Sequence, residues 1–328
     1  MIKFFKKETV FCIATLLAVV SCFFAIPSIS YINFKTLAIL FVMMVVVQFL
    51  KAIGVFDTLV GRLVGSVNTV RGLVFVLVFA CFFGSILITN DISLLTFVPF
   101  AIAALRKINK TGLVIPVVTL QTIAANMGSM INPFGSPHNI LVYTASCVSI
   151  KSFVMMLIPY WIVSLVVIFV ACLLLPSEQI DKSIALAAVE VDKRSVLGKT
   201  FKNVDYFLLL TFVAFYILIG NLQHIPEVSN FFESIVHGRE LLCSILACQI
   251  ISNVPGGMMM TGFSDNFKDI IIGVNIGGLG TLIASMANLI SYKIFAHEFN
   301  NKKGKFLFVF TVSNVALLLM LVGVYFIV

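Results

Sequence analysis

The sequence predicts an all-α polytopic membrane protein. It reads as two inverted repeats, each with a re-entrant helical hairpin and a broken transmembrane helix, plus interfacial helices. Three observations predict it. The 328-residue chain is 60% hydrophobic and 11% charged, with a mean hydropathy of +1.12. So few charges would not cover a soluble domain of this size, which makes the bilayer the solvent. Next, one stretch occurs twice: residues 126–143 read NMGSMINPFGSPHNILVY and residues 275–292 read NIGGLGTLIASMANLISY, aligned without a gap at an offset of 149. Glycine, proline and asparagine inside paired apolar segments of two halves mark the binding site of a secondary transporter. Last, with the N-terminus inside, only Lys35, Lys151, Arg239 and Lys268 of the 22 Lys and Arg face out. That bias places the N-terminus in the cytoplasm and the chain, multi-pass, in the cytoplasmic membrane. The net charge of +8 is therefore a topology signal and not a nucleic-acid footprint.

The elements follow in chain order. Residues 1–32 read as an N-terminal anchor helix, with Lys3, Lys6 and Lys7 ahead of an apolar run over 10–26. Residues 33–175 form repeat 1: a span over 33–53, a surface helix, a hairpin over 73–105, a broken helix over 112–143 and a span over 153–175. Residues 176–203 form a charged cytoplasmic linker, read as solvated and without a site. Residues 204–328 form repeat 2: a span over 206–222, a surface helix, a hairpin over 241–263, a broken helix over 270–295 and a last span over 306–328. Each full span reaches the ~20 residues that a crossing needs. The surface helices carry apolar stripes at helical spacing, Phe56, Leu59, Val60, Leu63, Val64 and Val67 in the first, Val228, Phe231, Phe232, Ile235 and Val236 in the second.

The hairpins are read from their interruptions. Thr89-Asn90-Asp91 breaks the first and Ser252-Asn253-Val254-Pro255-Gly256-Gly257 breaks the second. The returning arm of the second covers only ~14 Å at 1.5 Å per residue, too little to cross a ~30 Å core. The arms of the first are long enough for two crossings as well. It is read as re-entrant by analogy with its partner, and the charge bias fits both arrangements, since two crossings add an even number.

A helix interrupted inside the membrane exposes N–H groups at one half-end, which suit anions, and C=O groups at the other, which suit cations. Such backbone is tolerated only where it lines a cavity or is buried in protein. The candidate substrate and ion site therefore gathers the two tips and the two breaks. It comprises Asn90, Asp91, Asn126, Gly128, Ser129, Asn132, Ser136, His138 and Asn139 from the first half. From the second it takes Ser252, Asn253, Asn275, Gly277, Gly278, Thr281, Ser285 and Asn288. The asparagines both donate and accept, so each either touches a ligand or caps a half-helix. Asp91 is the one acid placed at the midplane; it suits Na+ or a carried proton, the plainer reading being a fixed partner for a nearby Asn or backbone N–H. His138, the one histidine inside a span, either meets an anion or is a neutral partner of the Ser136-Pro137 break. The seven cysteines show no CxxC pair and read as small hydrophobes.

Other classes fit less well. There is no GxxxxGK(S/T) nucleotide loop for a pump and no HExxH. Ser136 and His138 lie two apart, a poor nucleophile–base geometry, and Asp91 has no second midplane carboxylate for an aspartyl dyad. No enzyme activity and no cofactor is expected. An ion channel would use the same broken helices with an open path.

The order of elements, Asn90-Asp91 at the first tip, Ser252-Asn253-Val254-Pro255 at the second and the two Asn/Gly-broken spans resemble the ion transporter superfamily. That group holds arsenite permeases, Na+/H+ antiporters and citrate or dicarboxylate carriers. The resemblance runs from residue 33 to the C-terminus. It implies a permease for a small carboxylate or oxyanion, symport or antiport with Na+ or H+, elevator-type motion and a homodimer. Na+/H+ antiport is the main rival. Sodium-coupled dicarboxylate members carry Ser-Asn-Thr at both tips; here the first tip reads Thr89-Asn90-Asp91, closer to the arsenite-permease and antiporter branch.

Overall fold

The computed structural model describes residues 9–54, 67–180 and 204–328. The described chain is helical, apart from one isolated bridge between Thr69 and Gln179. In the first half lie α1 (Thr9–Ser21), α2 (Phe34–Ala52), α3 (Val70–Leu87), α4 (Asn90–Lys107), α5 (Val114–Ser129), α6 (Pro137–Ser146) and α7 (Ile150–Leu173). In the second lie α8 (Tyr206–Gln223), α9 (Pro226–Val236), α10 (Glu240–Ile251), α11 (Asn253–Phe263), α12 (Phe267–Gly277), α13 (Met286–Glu298) and α14 (Lys303–Tyr325).

Five helices among the described residues are long and apolar enough to cross a membrane: α3, α5, α7, α8 and α14. Burial sorts them. The α5 segment is 72% buried within the protein, whereas α7 and α14 are each 28% buried. The outer helices present Val166, Phe169, Leu319 and Met320 outward, and their buried faces carry Phe153, Phe306 and Phe310. An apolar outer surface around a buried polar centre is what lipid as solvent requires. This is an integral membrane protein.

Two hairpins are formed. The α3–α4 pair returns to the end it starts from. Arg71 at its first foot donates to the Leu175 carbonyl, and Lys110 at its second foot pairs with Glu178. The Val70 N–H donates to the Glu178 carbonyl at 2.8 Å and the Ile180 N–H to that of Asn68 at 2.9 Å. Both feet thus grip one short segment, and the tip lies at the α5–α6 break. Residues 176–180 are thus tied to the feet of the hairpin while 176–179 stay exposed; the rest of that linker lies outside the described residues.

The second hairpin turns at one residue. Ser252 ends α10 and starts α11, with φ 77 and ψ 159. A six-residue interruption was expected there. Instead α11 runs through Pro255, Gly256 and Gly257, because Pro255 sits in the first turn, where its missing N–H would have no partner.

The surface helix of the second half is present as α9, bent by 112° from α10. Phe232 stacks on Phe263 at 4.9 Å, and Phe231 is exposed on the apolar stripe. Its first-half counterpart lies, apart from Val67, outside the described residues. The anchor is shorter than the expected run over 10–26. Helix α1 stops at Ser21, whose hydroxyl donates back to the Ala18 carbonyl, and Asn221 of α8 donates to Ser21 in turn.

Candidate functional site

The centre of the protein is built from the two breaks, 130–136 and 278–285, and the two hairpin tips. Their hydrogen bonds repeat between halves. Asn139 donates through Nδ2 to the carbonyls of Met130 (3.2 Å) and Asn132 (3.1 Å), and more weakly to that of Ser129. Its equivalent at offset 149, Asn288, donates to the carbonyls of Gly278 and Thr281, each at 3.0 Å. These carbonyls are the orphans left where α5 and α12 stop. The two halves also clasp each other. Asn126 Nδ2 donates to Asn288 Oδ1 at 2.8 Å, and Asn275 Nδ2 donates to Asn139 Oδ1 at 2.8 Å.

The tips dock alike. The Asn90 N–H donates to the Gly135 carbonyl and the Asn253 N–H to the Ala284 carbonyl, the two acceptors again lying 149 apart. Asn132 Nδ2 reaches the Ile86 carbonyl on the first arm of one hairpin (2.6 Å), and Thr281 Oγ1 reaches the Gln249 carbonyl on the other (3.4 Å). Ser136 and Ser285 cap α6 and α13, accepting from the N–H groups of Asn139 and Ala287. Ser129 donates to the carbonyl of Asn126 within its own helix. Gly128 and Gly277 allow close crossings: a side chain at Gly128 would meet the backbone of Phe82, and one at Gly277 would lie 3.0 Å from Ile245 Cα.

The repeat is broken in one place. Asn126 Oδ1 accepts from Asn90 Nδ2 (3.0 Å) and Ser285 Oγ (3.3 Å). Its equivalent, Asn275 Oδ1, faces His138 Nε2 at 3.4 Å, and that nitrogen also lies 3.1 Å from Ser136 Oγ. His138 thus bonds to the break at Ser136, as the plainer reading has it, and takes the place that a tip asparagine holds in the other half. The Asn253 side chain contacts Ser252 Oγ at 3.4 Å and donates no hydrogen bond among the described residues.

A small cavity of about 10 Å³ lies at the centre. It is lined by Asn90 and Asp91 of α4, Pro137 and His138 of α6, Asn253 of α11, Ser285 and Met286 at the start of α13, and Leu208 of α8. Four helix N-termini, those of α4, α6, α11 and α13, therefore meet at one point. Their N–H groups and dipoles favour an anion, and no lysine or arginine lines the cavity. Asp91 is half-buried there; its N–H donates to Asn90 Oδ1, and its carboxylate accepts no hydrogen bond among the described residues. Its charged neighbour is Asp205, the cap of α8. A fixed role as acceptor for a neighbouring Asn is thus not what the structure gives Asp91.

One turn along α6 and α11 from His138 and Val254, a cavity of about 370 Å³ opens between α6, α8 and α11, lined by Leu141, Ala145, Tyr216 and Met258. Through Gln223, Thr261 and Gly262 it continues into an outer cavity of about 790 Å³ bearing Glu233, Glu240 and Asp265.

Sequence reasoning missed Gln249. Its Nε2 donates to the carbonyls of Gly277 (2.8 Å) and Leu279 (2.9 Å), and its Oε1 accepts from the Thr281 N–H (2.9 Å). One side chain thus fixes the second break to the second hairpin. A lone amide near the apolar end of α10 was the available signal.

The citrate transporter family model matches residues 4–266. The chain belongs to this family. It is similar to the uncharacterized transporter MJ0456 of Methanocaldococcus jannaschii, 25% identical over 324 residues and 89% of each chain. It is also similar to the inner membrane protein YbiR of Escherichia coli, 27% identical over 303 residues and 80% of each chain. A member of this family is a membrane transporter, and the matched segment contains both hairpins, the first broken helix and the surface helix α9.

The two plugging asparagines yield a paired expectation. Asn139→Ala and Asn288→Ala each strip buried carbonyls of their donor, at a cost of about 2–4 kcal/mol. Both variants should show similar losses in denaturant or thermal unfolding of the purified protein. A large loss in one and none in the other would limit the repeat to shape.

Proposed function

We propose that this citrate-transporter-family protein is a secondary active transporter for a small anion, a carboxylate or oxyanion, coupled to Na+ or H+ by alternating access. The observation that carries the reading is the meeting of four helix N-termini at a cavity without lysine or arginine. Anion charge there is met by backbone N–H groups and amide side chains. The family's description favours carboxylates among the anions. Asp91 would repel the same anion, so the site becomes neutral only when a cation or proton sits on that carboxylate. This links the two species in one binding event, which is what coupling requires.

The central cavity is of the size of a single water, so a carboxylate enters only when a hairpin tip withdraws. The second tip is the better candidate. Ser252 is held at a backbone conformation that side chains disfavour, and the Asn253 amide is outside the asparagine clasp. Its withdrawal would join the centre to the cavity between α6, α8 and α11. An elevator-type displacement of hairpins and breaks against α1, α2 and α8 agrees with the family resemblance.

Asp91 also supports a second reading, Na+/H+ antiport without an organic substrate. The two are separated in proteoliposomes. Counterflow of labelled citrate, succinate or arsenate, dependent on Na+ or on acid pH, is the expected result. Na+-driven proton movement with no counterflow of any of the three would favour the antiporter and overturn the anion reading.

A further inference from the structure

At the basic end of the molecule a groove of about 490 Å³ runs between α4 and α13. It is two-faced. One part is apolar, formed by Pro99, Ile102, Ala103 and Ile294. The other holds Arg106, Lys293 and His297, with Glu298 as the one acid. Arg106 pairs with Glu298 at 2.8 Å and lies 5.5 Å from the Phe299 ring; His297 lies 3.5 Å from the same carboxylate. The hydrogen bond from Arg106, helped by His297, holds the Glu298 carboxyl below the usual carboxylate range, so it stays ionised and leaves a net positive rim. Lys293 has no ion pair among the described residues and is exposed. Beyond the rim, Lys302 lies 5.9 Å from the Phe299 ring, which adds to the positive field.

The place of this groove in the repeat gives it meaning. In the second half, α8 packs on α11 and faces α6 across the cavity described above. The counterpart of α8 is α2, yet the packing of α2 among the described residues is chiefly on α6 and α8. Among the described residues no span closes the α4–α13 face. An exposed apolar stripe, Leu95, Pro99 and Ala103, runs from Arg106 down α4 at helical spacing. Its length from Leu95 to Arg106 is ~16 Å at 1.5 Å per residue, the scale of an acyl chain rather than of a small ion.

We propose that this groove binds an anionic phospholipid, its phosphate on Lys293, Arg106 and His297 and one acyl chain along Leu95, Pro99 and Ala103. Charge complementarity selects the headgroup, because the rim carries more positive than negative groups and sits where helices end at the interface. The apolar stripe selects a lipid over a free anion, which would gain nothing from it. The proposal concerns the α4–α13 face alone and stands whether or not the transported species is an anion.

The test uses the purified, delipidated full-length protein in neutral detergent. Thermal unfolding and native mass spectrometry are read with added phosphatidylglycerol, phosphatidylcholine or inorganic phosphate. Phosphatidylglycerol should raise the unfolding temperature and remain bound, and the other two should not. Lys293→Gln and His297→Gln should each weaken the lipid's apparent affinity, by about fivefold for the lysine. Ala103→Trp, which fills the apolar part and leaves the charges, should weaken it as well. Equal stabilisation by phosphatidylcholine, or unchanged binding in Lys293→Gln and Ala103→Trp, would overturn the proposal. Protection by inorganic phosphate equal to that by the lipid would do so too, and would identify the groove as an entrance for soluble anions. A variant that fails to fold is replaced by Lys293→Met or Ala103→Phe, which should weaken the lipid's binding in the same two measurements; unchanged binding in both would overturn the proposal.

Discussion

Gly128→Ala is expected to abolish accumulation of folded protein, whereas Gly112→Ala leaves it unchanged. The difference lies in what each new methyl meets. At Gly128 it would occupy the position of the Phe82 carbonyl, with Ser85 Oγ at 2.6 Å and the Phe82 carbonyl carbon at 2.7 Å. Backbone cannot turn aside as a side chain does, so α5 and α3 would have to part along the most buried of the five long described spans. Overpacking of this kind costs about 3 kcal/mol or more, a large share of a marginal stability. At Gly112 nothing lies within 4 Å. Gly277→Ala falls between, because its nearest neighbours at 3.0 Å include the movable Cys248 thiol. Fluorescence-detected size exclusion of the three variants gives the order. Normal yield and melting temperature for Gly128→Ala would mean that α3 and α5 do not cross as closely as described.

Asp91→Asn has the largest expected effect on activity. The carboxylate accepts no hydrogen bond among the described residues, so folding loses little when it becomes an amide, which is also cheaper to bury than a charge. Gradient-driven uptake should fall about tenfold or more, as expected for the one acid lining a buried cavity. Exchange of substrate across the membrane without net ion movement should persist, because the four helix N-termini are untouched. Uptake by Asp91→Asn with the ion and pH dependence of the wild type would remove Asp91 from coupling. The ion site would then have to be sought among the carbonyl and hydroxyl groups of the breaks.

Much of this architecture is legible in the chain, and the reason is physical. Lipid leaves so few solutions for an unpaired backbone that a cluster of Asn, Gly and Pro in an apolar run announces a break, whereas lone Pro159 and Asn314 sit inside continuous helices. The offset of 149 between two such runs located both breaks, and the tips were read from the interruptions of the hairpins. What the sequence withheld depends on distance in space. Nothing in Asn139 states that its nitrogen plugs its own half while its oxygen takes a bond from Asn275. The role of Gln249 is hidden in the same way, since it bonds to residues 28 to 32 positions further along. Periodicity also overran two ends. The apolar run after Ser21 looks helical, but the chain leaves α1 there through a turn, with the Phe24 N–H on the Ser21 carbonyl, and Pro255 looks like an interruption until its place in the first turn is known. The attachment of residues 176–180 to the hairpin was hidden too: the segment is exposed, as its charge implies, yet Lys110 pairs with Glu178 and the Val70 N–H bonds to its carbonyl.

The asparagine clasp bears on how the protein is made. Asn126 and Asn139 lie in the first half of the chain, and their partners Asn288 and Asn275 lie in the second. When the ribosome has delivered only the first half, an amide nitrogen and an amide oxygen near its break have nothing to bind. That half is inserted yet unfinished, and it waits for some 150 residues of later synthesis before its central polar groups are satisfied. An assembly chaperone or quality-control protease that samples nascent membrane proteins would therefore see the first break longest.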